Sequence, residues 1–239
     1  SYDNQDFVVL VAAGNDGDQG AETVGAPATG KNIISVGAGV QVTDFWTDAG
    51  AACDSCGNED VAYFSSRGDT YDGRVKPEII APGIFVLSSD STADSSVSCG
   101  LTYKAGTSMA TPLLAGTAAL VREYFYRGFY PTGGETSENA FVPMGALVKA
   151  VILHSAQDIS DGTFCGSGQN CAAANGGTIQ QAPDSTQGFG RSQLDAVLNF
   201  QSGRTFAVGD GHVLSHLGGC FSQIAAARVN YFLSSIANT

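Results

Sequence analysis

Positive charge is scarce in this chain: 11 Lys and Arg stand against 23 Asp and Glu in 239 residues, a formal net charge of −12. So acidic a surface repels nucleic-acid phosphates and acidic membrane surfaces, which argues against both as partners. Long apolar runs are missing too, and no stretch approaches the roughly 20 residues of a membrane span. The chain opens Ser1-Tyr2-Asp3-Asn4, with neither Met nor the basic-then-apolar start of a signal peptide. It therefore reads as processed, truncated or fragmentary. No Asn-x-Ser/Thr sequon occurs, so glycosylation offers no clue to compartment. Histidine is rare as well, limited to His154, His212 and His216. There is no Gly-x-Ser-x-Gly elbow, which argues against a serine hydrolase built on that turn.

What is present describes a turn-rich globular domain, or most of one: 31 glycines, 43% hydrophobic residues and 14% charged. Six cysteines suit a secreted or lumenal protein better than a cytosolic one. Cys165 and Cys171 bracket a Gly-rich loop and read as a local disulfide. Cys53 and Cys56 form a CxxC whose acidic neighbours argue against a low-pKa redox pair. Zinc is the lesser alternative, since Cys165-x5-Cys171 is a poor second ligand pair. Connectivity cannot be read from spacing. Acidic loops lie at residues 16–22 and 54–60. They are either solvated or, at Asp16 to Glu22, able to offer oxygens to a calcium ion.

The apolar pattern alternates between strand and helix. Phe7-Val8-Val9-Leu10-Val11 is a short continuous apolar run, expected to form a central strand covered on both faces. Residues 33–38 and 84–87 are similar runs, and residues 40–60 read as a surface loop. A helix is expected from about Ser108 to Tyr126, with Pro112 in its first turn. Its small residues, Ala110, Ala115, Gly116, Ala118 and Ala119, suit a helix threaded through a core. A second helix is expected over residues 144–155, with Leu147, Val148, Val151 and Ile152 on one face. Residues 160–190 read as loop, and Phe221, Ala225, Val229, Phe232 and Ile236 as an amphipathic C-terminal helix. This alternation predicts an α/β layered fold.

Gly106-Thr107-Ser108-Met109-Ala110-Thr111-Pro112 stands where an extended stretch meets the small-residue helix. A serine there has its hydroxyl at a helix start, where free N–H groups and the dipole favour developing negative charge. Met109 and Ala110 are expected to point into the core. Taken alone, such a serine is ordinarily an N-cap, and Asn15 in Gly-Asn-Asp-Gly is ordinarily a turn residue.

The heptapeptide, however, resembles the nucleophile motif of the subtilisin family, and other segments match in the right order. Residues 8–15 (VVLVAAGN) look like the strand ending at the family's oxyanion asparagine. Gly25-Ala26-Pro27-Ala28 with residues 33–38 resembles the stretch beside the primary specificity pocket. Phe64-Ser65-Ser66-Arg67-Gly68 and residues 76–83 (KPEIIAPG) match two further signatures. Gln187-Gly188-Phe189-Gly190-Arg191, with Leu194 and Asp195, resembles the closing segment.

The resemblance covers residues 7–200 and implies a subtilisin-like three-layer α/β sandwich with a mostly parallel sheet, incomplete on its N-terminal side. Residues 1–200 would form this part of the peptidase domain, with 201–239 a tail of uncertain structure. Ser108 would be the nucleophile of a serine endopeptidase, forming an acyl-enzyme. Asn15 would donate to the oxyanion together with the Ser108 N–H. Ala12, Ala13, Gly14, Gly106 and Thr107 would line the peptide-binding cleft. No cofactor is expected for catalysis, and family habit adds weight to a structural calcium. The expected partners are a peptide or protein substrate and the absent N-terminal part of the protease. In the subtilisin order Asp and His precede Ser, whereas all three histidines here follow Ser108. The alternative is a catalytically inactive fragment or binding module that keeps the fold.

Overall fold

The computed structural model describes residues 3–41, 57–90, 100–165 and 178–200. They fall into two compact units. One comprises Val9–Ala115 and Gln157–Ser192, and the other is drawn from Ser1–Val8, Gly116–Ala156 and the chain from Gln193 onward.

In chain order the strands are β1 (Leu10–Ala12), β2 (Ile34–Gly39), β3 (Val61–Ala62), β4 (Ile79–Pro82), β5 (Val86–Asp90), β6 (Gly100–Lys104), β7 (Ala156–Gln157), β8 (Phe164–Cys165) and β9 (Arg191–Ser192). The first unit carries a mixed, mostly parallel sheet in the order β9-β4-β2-β3-β8, with β1 also on β2. The pairs β1–β2, β2–β4, β4–β9 and β3–β8 are parallel, and β2–β3 is antiparallel. A parallel sheet covered by other elements calls for strands apolar on both faces. Accordingly every residue of β2 is buried. Two of its six residues are glycine for a steric reason. A Cβ on Gly37 would stand 2.5 Å from Ile80 Cδ1, and one on Gly39 would stand 2.6 Å from Ile80 Cγ2. The small positions on β2 thus let the β4 isoleucine lie flat across it. Val36, Ile79 and Ile80 are buried to within 1%, and each such side chain contributes roughly 1.5–3 kcal/mol. A satellite core of Val61, Ile80, Ile159, Phe164 and Ile179 continues under Tyr63.

Helix α1 (Thr107–Tyr126) begins in this unit and continues into the other, which also holds α2 (Gly145–His154). The expected face of α2 is buried: Leu147, Val148, Val151 and Ile152. In the second unit Tyr124 stacks on Phe129 at 5.8 Å and meets Phe200 edge-on at 5.3 Å. Burial raises the Tyr124 hydroxyl pKa to about 12, and the hydroxyl donates to the Asn199 carbonyl at 3.0 Å. Beside these rings lies a cavity of about 630 Å³ lined by Leu120, Glu123, Tyr124, Arg127 and Phe200, among others.

Several expectations require correction. The first strand starts at Leu10, not Phe7, and among the described residues it pairs with β2 alone. Phe7 is 73% exposed, and β1 is half-buried along its length. The apolar run over-predicted the strand because Gln5, two residues before Phe7, is engaged elsewhere, its carbonyl accepting from Gly145 N–H at 2.8 Å. The run at residues 84–87 is not one strand: Ile84 and Phe85 are a turn between β4 and β5, and Phe85 has φ 50°. Helix α1 is not threaded through a core. It buries one stripe, Ala110, Leu114, Ala118, Val121 and Phe125, while Ala115, Gly116, Ala119 and Leu120 are exposed. That is the i, i+4, i+8 spacing of a one-sided helix. Pro112 lies inside α1, five residues past its first, and not in its first turn. Of the stretch 160–190, the described residues are loop except at β8. The Cys53–Cys56 pair, the expected Cys165–Cys171 bridge, most of loop 40–60, and the tail with its expected C-terminal helix lie outside the described residues.

Candidate active site

The sequence-predicted site residues converge at one end of the sheet. Past Ala12, the last residue of β1, Ala13 N–H still donates to the Val36 carbonyl at 2.9 Å. The chain then turns at Gly14, which has φ +116°. A Cβ there would lie 2.6 Å from Ser66 Oγ, so both the backbone conformation and the space demand glycine. The turn leaves Asn15 exposed beyond the carboxyl end of β1, the end of a parallel sheet where ligands bind in open α/β folds. Ala13 is buried, and Ala12 and Gly14 are half-buried.

The Ser108 segment arrives from the other direction. Gly106 N–H donates to the Gly83 carbonyl at 2.8 Å, just past β4. Gly83 has no room for a side chain, since its Cβ would meet Ala38 Cβ at 2.6 Å. Gly106 has φ +149° and is buried. Its carbonyl accepts from Met109 N–H at 3.0 Å and Ala110 N–H at 3.3 Å, closing the first turn of α1. Thr107 is fully buried, whereas Ser108 is exposed. Ala110 points into the core as expected, while Met109 is only half-buried. At the second position of a helix, the Ser108 N–H has no carbonyl four residues back within the helix to bond. Pro112 lacks an N–H, so the Ser108 carbonyl has no helical partner four residues on.

Three hydrogen bonds join these segments across 92 or 93 residues of chain. Asn15 Oδ1 accepts from the Thr107 N–H at 2.9 Å and from Thr107 Oγ1 at 3.0 Å, and Thr107 Oγ1 accepts from Gly14 N–H at 3.3 Å. With Oδ1 held twice, the orientation of the amide is fixed and Nδ2 faces Gly106. A point one bond above Gly106 Cα lies 3.7 Å from Asn15 Nδ2 and 3.7 Å from Ser108 N. Both nitrogens therefore lie near the same point beside the serine, as does Met109 Sδ at 3.6 Å. Gly14 and Asn15 thus lie against Gly106, Thr107 and Ser108, with Ala12 and Ala13 immediately before the turn.

Sequence reasoning assigned no role to residues 64–66, which run beneath the Asn15 turn. Gly17 N–H donates to the Phe64 carbonyl at 2.8 Å, Ser66 N–H donates to the Gly14 carbonyl at 3.0 Å, and Ser66 Oγ accepts from Asp16 N–H at 3.1 Å. The only earlier signal was the segment's match to a signature.

The remaining charged groups have structural surroundings. Burial lowers the Arg67 pKa, while Asp18 opposes that shift; its guanidinium lies 3.9 Å from the Phe164 ring centroid, within cation–π range. Burial also lowers the pKa of His154, the last residue of α2. The acidic turn holds a short 3₁₀ segment, Gly17–Gln19, with Asp16 Oδ1 accepting from Gln19 Nε2 at 3.3 Å. Among the described residues no three His, Cys, Asp or Glu side chains are grouped as a metal site. No described helix is long and apolar enough to cross a membrane.

A mostly parallel α/β sheet that brings a strand-end asparagine to the Thr107 helix start, beside Ser108, is the arrangement expected of a subtilisin-like fold. The chain belongs to the subtilase family of serine peptidases, whose family model (Peptidase_S8) matches residues 1–190. It is 40% identical over 123 residues to the serine protease AprX of Bacillus subtilis (strain 168), covering 48% of this chain and 26% of AprX. It is 39% identical over 125 residues to the serine protease/ABC transporter B family protein tagD of Dictyostelium discoideum, covering 48% of this chain and 7% of that protein. Among solved structures, Sphericase superposes with a TM-score of 0.47 at 23% identity, over 78% of this chain and 48% of Sphericase. The chain thus spans a minor part of these relatives' lengths.

Proposed function

We propose that this chain carries the nucleophile and oxyanion hole of a serine endopeptidase. The observation that carries the reading is the convergence of Asn15 Nδ2 and Ser108 N beside Gly106. In this reading Ser108 Oγ attacks the scissile carbonyl carbon, and its proton passes to a general base. The carbonyl oxygen, now an oxyanion, accepts from Asn15 Nδ2 and the Ser108 N–H. Expulsion of the amine, protonated by the same base, leaves an ester on Ser108 that water hydrolyses. In subtilisin, the type member of this family, loss of the asparagine donor costs about 10²–10³ in kcat, and that scale is borrowed here.

The family order is Asp, His, Ser, and this sequence has no histidine before Ser108. We therefore assign the base and its orienting Asp to an N-terminal part of the protease outside this sequence. The substrate is a peptide or protein segment, bound across Ala12, Ala13, Gly14, Gly106 and Thr107. The six cysteines support a secreted or lumenal site of action.

A fluorophosphonate probe tests this reading. The natural full-length protein should be labelled at Ser108, Ser108→Ala should abolish labelling, and the 239 residues alone should be unreactive. Ser108-dependent peptide hydrolysis by the 239 residues alone would reopen the case for His154, His212 or His216 as the base. The absence of any histidine before Ser108 also favours a second reading, a non-hydrolytic binding module. Failure of the full-length protein to label would establish that reading instead.

A further inference from the structure

We infer that Ser66 is a positioning residue for Asn15. The inference rests on the reading of Asn15 as an oxyanion donor. Ser66 is fully buried, lies 50 residues from the turn it touches, and grips that turn on both sides of Asn15. Its N–H donates to the Gly14 carbonyl at 3.0 Å, and its Oγ accepts from Asp16 N–H at 3.1 Å. These two bonds hold the peptide groups before and after Asn15. Thr107 holds the Asn15 side-chain oxygen from above, and Ser66 holds its backbone from below.

The contact is tight. A Cβ on Gly14 would stand 2.6 Å from Ser66 Oγ and 3.3 Å from Ser66 Cβ, so the turn has no slack toward Ser66. Ser66 in turn sits on a fixed segment: Ser65 Oγ accepts from Ala38 N–H at 3.0 Å, and Ser65 N–H donates to the Ala62 carbonyl at 2.9 Å. The turn is therefore referenced to strand β2 through residues 62–66. An oxyanion donor works by being in place before charge develops, and an ångström of misplacement erases much of the gain. Without the Ser66 hydroxyl, Asp16 N–H loses this partner and the peptide group after Asn15 loses its tie to the segment beneath.

The test is a double-mutant cycle in the natural full-length protein, read as kcat and KM separately. Ser66→Ala should lower kcat roughly ten- to a hundredfold with little change in KM, below the 10²–10³ of losing the donor outright. In an Asn15→Ala background the same substitution should change kcat less than about threefold, because no donor remains to misplace. Ser66→Cys, similar in shape with a weaker acceptor, should fall between wild type and Ser66→Ala, and it carries the test if Ser66→Ala does not fold. An unchanged kcat in Ser66→Ala, or an equal loss with and without Asn15, overturns the inference. If Asn15→Ala alone leaves kcat unchanged, the oxyanion reading fails first, and that result is distinct from either outcome for Ser66.

Discussion

Lys76 and Glu78 form a buried ion pair whose disruption should be among the most costly single changes in this unit. The two residues flank Pro77, and period-2 spacing in an extended segment points them to the same side. Lys76 is 1% exposed and Glu78 6%. Lys76 Nζ donates to Glu78 Oε1 at 2.6 Å and to the Gly30 carbonyl at 2.8 Å, while Glu78 Oε2 accepts from Ser35 N–H at 2.6 Å. The pair thus joins the approach to β4 both to the start of β2 and to the loop at residues 26–30. Lys76→Met keeps the length of the side chain but leaves the Glu78 carboxylate buried without its cation. Removing one partner of a buried pair costs about 3–5 kcal/mol, because the other charge stays desolvated. Lys76→Met with Glu78→Gln removes both charges yet keeps an acceptor for Ser35 N–H, so the double variant should be more stable than Lys76→Met by about 1–2 kcal/mol. Equilibrium denaturation in a Ser108→Ala background, which prevents self-digestion, gives these values from the midpoint at constant slope. A loss below about 1 kcal/mol for Lys76→Met, or a double variant as unstable as the two single changes summed, would refute the reasoning.

Thr107→Val keeps the N–H that binds Asn15 but deletes the Oγ1 bonds to Asn15 and Gly14. It should lower kcat of the full-length protein about tenfold, with Thr107→Ser retaining most activity. Burial pushes the Asp158 carboxyl pKa up, but hydrogen bonds from Ser160 N–H, Gln187 Nε2 and Ala182 N–H outweigh it, so the pKa lies below the ordinary value. A folded-state pKa below the unfolded one contributes stability that is present above the unfolded value, near ~3.9, and is lost as pH falls through the folded one. The stability gap between parent and Asp158→Asn, measured by denaturation midpoint, should therefore be constant near neutrality and narrow below about pH 4.

The local motifs were the most legible part of the sequence. Gly106 to Pro112 encodes its own backbone: a glycine where φ is +149°, then Thr107 and Ala110 buried around an exposed Ser108. Residues 12–15 likewise encode a strand end and a turn that only glycine accepts. Helices α1 and α2 were legible within about two residues because their signal is a periodic stripe. The strands were less so. The run of residues 7–11 has the composition of a buried strand, yet pairing is decided by distant partners: Leu10 meets Ile34, whereas Phe7 lies before the start of β1. The run 84–87 failed for the same reason, since nothing in its composition marks the turn between β4 and β5.

The least legible residues were those whose partners are backbone groups far away. Ser65 and Ser66 bond Ala38 N–H and Asp16 N–H across 27 and 50 residues, and a serine in sequence gives no sign of which amide it will meet. In the proposed reading, the visible motif depends on these hidden contacts. An exposed serine at a helix start is chemically ordinary until a second donor is fixed beside it. That donor sits on a turn with one glycine of freedom, so it must be clamped. Thr107 clamps the side chain from the nucleophile's own segment, and residues 64–66 clamp the backbone from the sheet. Thr107 could be read from the sequence as a cleft residue because it adjoins Ser108. Ser66 could not be read, because its proximity to Asn15 arises only when β3 pairs with β2 and carries residues 62–66 under the turn.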